Sequence, residues 1–260
     1  MLKISNKKIS SNNTPKIIAE ISANHNQDLN KAIKLIKKAS QCGADFVKIQ
    51  TYAPESLTLD SNNEDFIFAV SWRWIIEHNR KKLIIFHDSL LPKYRGFSPL
   101  VNMLINGEKK IGFTAIFGSN EYDKGEIIDQ KSTEISYPIK ISEAIKINNL
   151  NLLSLVELIV NKISNGTSIS SSPQNETEAS YSIWRDHEDY YIDWNKSATE
   201  IKRLIDALGH PFLGARTKIE NGGEIVVEDA QIFDDVFLEL RHVGKVIFVD
   251  NDFPVVICKN

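Results

Sequence analysis

The sequence predicts an α/β protein that ends in a small β-rich C-terminal domain. Three observations carry this expectation. Residues 16–51 read strand-helix-strand, and apolar strand-like runs at 83–86 and 111–117 are accompanied by helical patterns at 98–106 and 142–163. Beyond residue 210 the chain breaks into short alternating runs punctuated by Gly and Asp.

The elements follow in chain order. Residues 16–21 form a short apolar run suited to a buried strand. Asn26 and Asp28 offer cap residues, and Leu29, Ala32, Ile33, Ile36 and Ala39 then recur at helical spacing, with Gly43 as the stop. Residues 45–51 return as a strand, and strand-helix-strand implies parallel neighbours. Residues 53–65 are polar and contain Pro54, Ser61, Asn62 and Asn63, which marks a connection and a first boundary. Residues 66–76 are apolar and tryptophan-rich, and Lys81-Lys82 precede the strand at 83–86.

Ser98 is placed to cap a short helix with Pro99 at its first position, ending near Asn106-Gly107. Residues 111–117 read as a strand and 126–137 as extended chain. Residues 142–163 read as a long helix burying Ile145, Leu152, Val156, Ile159 and Ile163. The Ser-rich run at 165–172, with Pro173 beyond it, is a second boundary. Ser197 and Glu200 form a capping box ahead of Ile201, Leu204, Ile205 and Leu208, with Gly209 as stop. Runs at 224–227, 236–240, 245–249 and 254–258 read as strands of a small barrel or sandwich. No internal repeat is visible.

Composition narrows the function classes. The chain has 260 residues, 42% of them hydrophobic and 25% charged, and a formal net charge of -3. A protein that coats nucleic acid would carry a basic excess. Cys42 and Cys258 lie far apart without metal-ligand spacing, so reduced thiols and no metal are expected. Residues 1–16 lack the apolar core of a signal peptide, and no apolar run approaches the ~20 residues that span a bilayer. A cytoplasmic protein with no membrane partner is expected.

The chemistry concentrates in His87-Asp88-Ser89-Leu90-Leu91-Pro92-Lys93-Tyr94-Arg95-Gly96 and Asp123-Lys124-Gly125. A lone histidine at a strand end would most simply cap a turn. Here His87, Ser89, Leu90, Leu91, Pro92, Arg95 and Gly96 match together, and Asp123 and Gly125 follow, with 36 positions from His87 to Asp123. This set resembles the Asn-x-His-x-Ser-Leu-Leu-Pro-x-x-Arg-Gly and Asp-x-Gly pattern of the folate-dependent formyltransferases that act on methionyl-tRNA and on sugar nucleotides.

The resemblance implies an incomplete Rossmann-like catalytic domain that takes its formyl group from N10-formyltetrahydrofolate. His87 would be the general base and Asp123 its orienting partner. Ser89, Leu90, Leu91, Pro92 and Gly125 would form the folate-binding loops. Arg95 and Gly96, just ahead of a helix N-terminus, would hold an anionic part of the substrate, with a structural carboxylate as the alternative partner for Arg95. The family asparagine that donates to the developing oxyanion falls at Ile85, which has no side-chain donor. Losing one such donor costs on the order of 10²–10³ in rate.

The C-terminal part extends the likeness. Tyr181-Ser-Ile-Trp184-Arg185, Ile192-Asp193-Trp194 and residues 207–215 resemble the opening of the family's C-terminal barrel, which contacts tRNA in the methionyl-tRNA enzymes. Residues 179–260 carry nine Lys+Arg against fifteen Asp+Glu, a balance of -6. Phosphate contacts dominate nucleic-acid affinity, so this balance argues for a small amine, an amino sugar on a nucleotide, and against nucleic acid. Trp184 and Trp194 are candidates either to stack on a base or sugar or to fill the barrel core.

The beginning differs. Ile17-Ile-Ala-Glu20-Ile-Ser-Ala-Asn24-His25-Asn26 and Gly43-Ala-Asp-Phe-Val-Lys48-Ile-Gln50-Thr51-Tyr52 resemble the first strand, helix and second strand of sialic-acid and pseudaminic-acid synthases. Some fifty residues cannot build the eight-stranded barrel of that family, so Glu20, His25 and Lys48 are expected to be relics of a gene fusion. The organisation expected is therefore 1–65 as a synthase-like fragment, 66–165 as the formyltransferase core, 166–178 as a linker and 179–260 as the C-terminal domain. The patched sheet could leave an exposed edge, and the chain admits a homo-oligomer. Two other readings stand beside formyl transfer to an amino sugar. One is a non-catalytic fusion remnant, suggested by Ile85 and the short lead-in. The other is a methionyl-tRNA formyltransferase.

Overall fold

The computed structural model describes residues 2–4, 7–9, 18–22, 28–49, 66–70, 72, 75–76 and 83–259. The chain divides into two compact units, Met1–Asn63 and Glu64–Asn260.

In the first unit, β1 (Leu2–Ile4) and β2 (Lys7–Ile9) pair antiparallel, while β3 (Ile18–Ser22) and β4 (Phe46–Ile49) pair parallel. The helix α1 (Leu29–Gln41) lies between β3 and β4 in sequence, as the strand-helix-strand pattern predicts. Asp28 caps it by accepting from the Lys31 N–H at 3.1 Å. Glu20 and Lys48 stand opposite each other in the β3–β4 register. Their side chains, His25 and the connection at 53–65 lie outside the described residues.

The second unit is built on a four-stranded mixed sheet in the order β5-β6-β8-β9. Its strands are β5 (Ile67–Val70), β6 (Leu83–His87), β8 (Lys110–Phe117) and β9 (Ile127–Glu134). β5 and β6 run parallel, and β8 is antiparallel to both β6 and β9. Between β6 and β8 come the short β7 (Arg95–Gly96) and the helix α2 (Pro99–Asn106). β6 and β8 are apolar on both faces because both faces are covered, so they read as continuous apolar runs.

The long helix α3 (Ile141–Ser164) covers one face. Ile84, Phe86, Phe113, Ala115 and Ile128 of the sheet pack there with Leu155 and Ile159. A second cluster joins α2 to α4 (Ala198–Leu208) through Leu100, Met103, Leu104, Ile201, Ile205 and Leu208. The remaining strands are β10 (Tyr181–Ser182), β11 (Ala215–Lys218), β12 (Glu224–Val227), β13 (Val246–Asp250) and β14 (Phe253–Val256). α4 starts on the predicted capping box, with Ser197 Oγ accepting from the Glu200 N–H and Glu200 reaching back to the Ser197 N–H.

Four expectations shift. The buried stripe of α3 runs through Ala144, Asn148, Asn151, Leu155 and Ile159, rotated from the predicted one, because Asn148 and Asn151 are buried on hydrogen bonds to the Gly112 carbonyl and to Thr133. Ser98 does not cap α2 through its hydroxyl; it sits in the left-handed region at φ 50°. The run 236–240 forms no strand, and β13 and β14 pair with each other as a hairpin. The described C-terminal strands pair as separate hairpins, β11–β12 and β13–β14. Among the described residues no helix is long and apolar enough to cross a membrane.

Candidate active site

β6 delivers His87 at its C-terminal end, opposite Thr114 of β8. The ring is 7% exposed. Nε2 lies 2.8 Å from the Tyr94 carbonyl oxygen, and Nδ1 lies 3.5 Å from Asp123 Oδ1. A carbonyl can only accept, which assigns the proton on that edge to Nε2 and leaves Nδ1 as the proton-accepting nitrogen of the neutral ring. The Tyr94 carbonyl therefore orients the ring. Asp123, beyond hydrogen-bond distance, faces the nitrogen that would take up a proton.

Asp123 sits on the turn after β8, in the left-handed region at φ 57°. Its Oδ2 accepts from the Gly96 N–H at 2.7 Å. Two residues on, Gly125 passes so close to the Phe117 carbonyl that any Cβ would overlap it, so the turn requires glycine there. Asp88, adjacent to His87, is a second carboxyl beside the ring. Burial pushes it above the usual carboxylate range, against the opposing pull of His87.

The Ser89 to Pro92 turn is held from beneath. Ser89 is buried and donates to the Lys93 carbonyl at 2.7 Å. Thr114 Oγ1 donates to the Ser89 carbonyl at 2.6 Å and accepts from the Leu91 N–H at 3.0 Å. Gln130 Nε2 donates to the Leu91 carbonyl at 2.8 Å. Leu91 is buried, while Leu90 and Pro92 keep part of their surface. Ser89 and Leu91 thus set the loop from within.

Arg95 departs most from its expected role. Its side chain is fully buried, and its five N–H donors are all taken: Nε by Gln174, Nη1 by Glu176 and Tyr181, Nη2 by Gln174 and Glu176. It has no donor left for a substrate, and the structural carboxylate is its partner. Glu176 raises the Arg95 guanidinium pKa, and Arg95 in turn holds the Glu176 carboxyl below its ordinary range. Gly96 is likewise committed, with its N–H spent on Asp123 and its Cα against the Ser182 carbonyl, 2.5 Å from where a Cβ would stand.

Two of the three partners of Arg95, Gln174 and Glu176, come from the segment expected to be a linker. That segment is bonded into the site through Ser172, Gln174 and Glu176. Ile127 and Ser172 exchange backbone hydrogen bonds at 2.8 and 2.9 Å, and Gln174 Nε2 donates to the carbonyls of Asp123 and Gly125 at 2.7 and 2.8 Å. β10 then pairs parallel with β7. Ser180 Oγ accepts from the Tyr94 N–H at 2.9 Å, and Ser182 Oγ donates to the Tyr94 carbonyl at 3.3 Å. Composition hid this role, because a Ser-rich run next to a proline resembles a free connection.

The two tryptophans separate. Trp194 packs against the α2–α4 cluster and donates Nε1 to Thr217 Oγ1 at 3.0 Å, which is the core-filling role. Trp184 is partly exposed and meets Phe97 edge-on at 5.6 Å, beside Gly96. Ile85 stands two residues before His87 on β6, so it shares the His87 face of the strand.

Comparison with known proteins bears on the family and the fold. The family described as formyl transferase matches residues 9–146, and the formyl transferase C-terminal domain matches residues 185–260. A methionyl-tRNA formyltransferase of Borrelia garinii subsp. bavariensis is 31% identical over 210 residues, covering 75% of this chain and 65% of the relative. The chain spans less than two thirds of the length of such curated relatives. Among solved structures, HypX from Aquifex aeolicus in complex with tetrahydrofolic acid aligns with a TM-score of 0.62 at 19% identity, over 94% of this chain and 42% of that one. An N-formyltransferase from Helicobacter canadensis, solved with folinic acid and dTDP-3-aminofucose, aligns with a TM-score of 0.51 at 23% identity, over 66% of this chain and 63% of its own. At these identities the structural likeness speaks for the fold.

Proposed function

This chain belongs to the formyl transferase family, and we propose that it moves a formyl group from N10-formyltetrahydrofolate to the primary amine of an amino sugar on a nucleotide. The observation that carries the reading is the His87 ring, with Nε2 anchored on the Tyr94 carbonyl and Nδ1 turned toward Asp123. As the amine nitrogen bonds to the formyl carbon, it loses a proton to Nδ1. The Asp123 carboxylate at 3.5 Å stabilises the imidazolium that forms. The carbon–N10 bond then breaks, and the imidazolium returns its proton to N10. Leu90, Pro92 and the Gly125 turn form the donor side of this centre.

The folate donor is supported by the tetrahydrofolic acid and folinic acid in the similar proteins. An amino-sugar acceptor is supported by the dTDP-3-aminofucose of the Helicobacter canadensis protein and by the acidic balance of residues 179–260. Methionyl-tRNA is the second reading, favoured by the curated relatives. In this reading residues 66–165 are the catalytic core, and 179–260 a domain on the acceptor side.

The test is a formyl-transfer assay with N10-formyltetrahydrofolate, offering a dTDP-amino sugar and an aminoacylated initiator tRNA in parallel. Transfer to the sugar, falling about 10²–10⁴-fold in His87→Ala, is the expected result. Transfer to tRNA alone, with binding that weakens steeply as salt rises, would establish the second reading. Undiminished transfer by His87→Ala would overturn the assignment of the base.

A further inference from the structure

We infer that Gln174 is a positioning residue of the reaction centre, holding Asp123 against His87 from the segment that joins the core to the C-terminal domain. This rests on the function proposed above. Gln174 is bonded at both ends of its amide. Its Oε1 accepts from Arg95 Nε at 3.1 Å and Nη2 at 2.8 Å, and its Nε2 donates to the carbonyls of Asp123 at 2.7 Å and Gly125 at 2.8 Å. One end is thus fixed to a fully buried guanidinium that Glu176 also grips. The other end fixes the backbone of the turn that carries Asp123.

The ends of that turn are tied by the Phe117 N–H to the Glu126 carbonyl at 3.0 Å and by the Ile127–Ser172 pair, while Gln174 is the side chain that bonds the backbone carbonyls of Asp123 and Gly125 within it. Asp123 itself is in the left-handed region at φ 57°, where a residue with a Cβ stays only when its surroundings hold it. On the far side, Asp123 Oδ2 takes the Gly96 N–H at 2.7 Å, and Gly96 adjoins Arg95. Arg95, Gln174 and Asp123 therefore form a closed loop of hydrogen bonds. Removing the Gln174 donors opens it at the turn. The same segment also secures the other partner of His87, since Ser182 Oγ donates to the Tyr94 carbonyl that orients the ring. Asp123 and the Tyr94 carbonyl, two of the groups beside His87, are thus both held by residues 174–182.

Gln174→Glu is the discriminating variant. It keeps the shape and the acceptor for Arg95 but removes both donors to the Asp123 turn. Two readouts are needed, one of which does not depend on activity. Hydrogen exchange of the Gly96 amide reports whether Asp123 still accepts its proton, with Asp123→Ala as the reference for a lost bond. Steady-state kinetics report whether the loss falls on kcat or KM.

The expected result is Gly96 exchange accelerated about tenfold or more toward the Asp123→Ala value. With it, kcat should fall about 10- to 100-fold while both KM values stay within about twofold. Wild-type Gly96 exchange in the variant, or an unchanged kcat, would overturn the inference. If the wild-type chain transfers no formyl group, the exchange experiment still decides the role of Gln174, and only the functional reading falls. Should Gln174→Glu not melt cooperatively, Gln174→Met removes the donors without adding charge, together with the acceptor for Arg95, and carries the same two readouts.

Discussion

Ile85 and His87 project from the same face of β6, two residues apart, and only one of them carries a functional group suited to the reaction. The resemblance implies an asparagine donor where Ile85 stands. Ile85 is partly exposed, so a polar side chain can be accommodated there without burying an unpaired amide. Ile85→Asn is expected to raise kcat by about 10–10³-fold, because a donor aimed at developing charge lowers the barrier to acyl transfer by several kcal/mol. Single-turnover assay of the variant measures this. An unchanged rate would mean that a backbone N–H already supplies the interaction. At this scale the resemblance to the formyltransferase pattern singled out His87 and Asp123, 36 positions apart, and the fold brings their side chains to 3.5 Å. The Tyr94 carbonyl and Gln174 were not legible. One is a backbone group present at every residue, and the other reaches the site only through the return of the chain 51 positions after Asp123.

At the scale of elements, the turn from β8 to β9 holds the site together. Gly125 lies against the Phe117 carbonyl, the end of β8, where backbone and not a flexible side chain blocks any Cβ. Gly125→Ala should therefore displace the Asp123 turn and cost about 1–3 kcal/mol of stability. Chemical denaturation would show the loss of stability, and transfer activity should fall with it. Stability equal to wild type would mean that the turn relaxes freely, and that its close approach is not a constraint. The helices were legible where local rules apply. Asp28 and the Ser197/Glu200 box fix the starts of α1 and α4 as their sequences predict. The exact face of α3 was not, because Asn148 and Asn151 are buried by hydrogen bonds to β8 and β9 that hydrophobic periodicity does not register. The run at 236–240 shows the converse: strand-like composition alone does not make a strand, because β propensity is overridden by context.

At the scale of the whole second unit, charge ties helices to the C-terminal hairpins. Asp229, just after β12, accepts from Lys140 at the start of α3 at 2.8 Å and from Lys202 of α4 at 3.3 Å. The Lys140 hydrogen bond, aided by Lys202, lowers the Asp229 carboxyl to about 2, against an ordinary value of 3.8. A carboxyl depressed on folding contributes stability that is present above its unfolded value and lost as pH falls through its folded one. Asp229→Asn should therefore be less stable than wild type above about pH 4, and the gap should close as pH approaches 2. Asp229 is 59% exposed, so solvent screening keeps the gap at neutral pH to about 1 kcal/mol or less. Urea titrations of both proteins at several pH values read it directly. A difference that does not change between pH 7 and pH 2 would mean that the substitution acts by packing and not by charge. Glu176 follows the same sign, because Arg95 depresses it, so acid should loosen the segment around Gln174 as well as the α3–α4 contact. Asp88 runs the other way. Burial raises its carboxyl, so its contribution is present at low pH and lost as pH rises, which places an opposing pH dependence beside His87 itself.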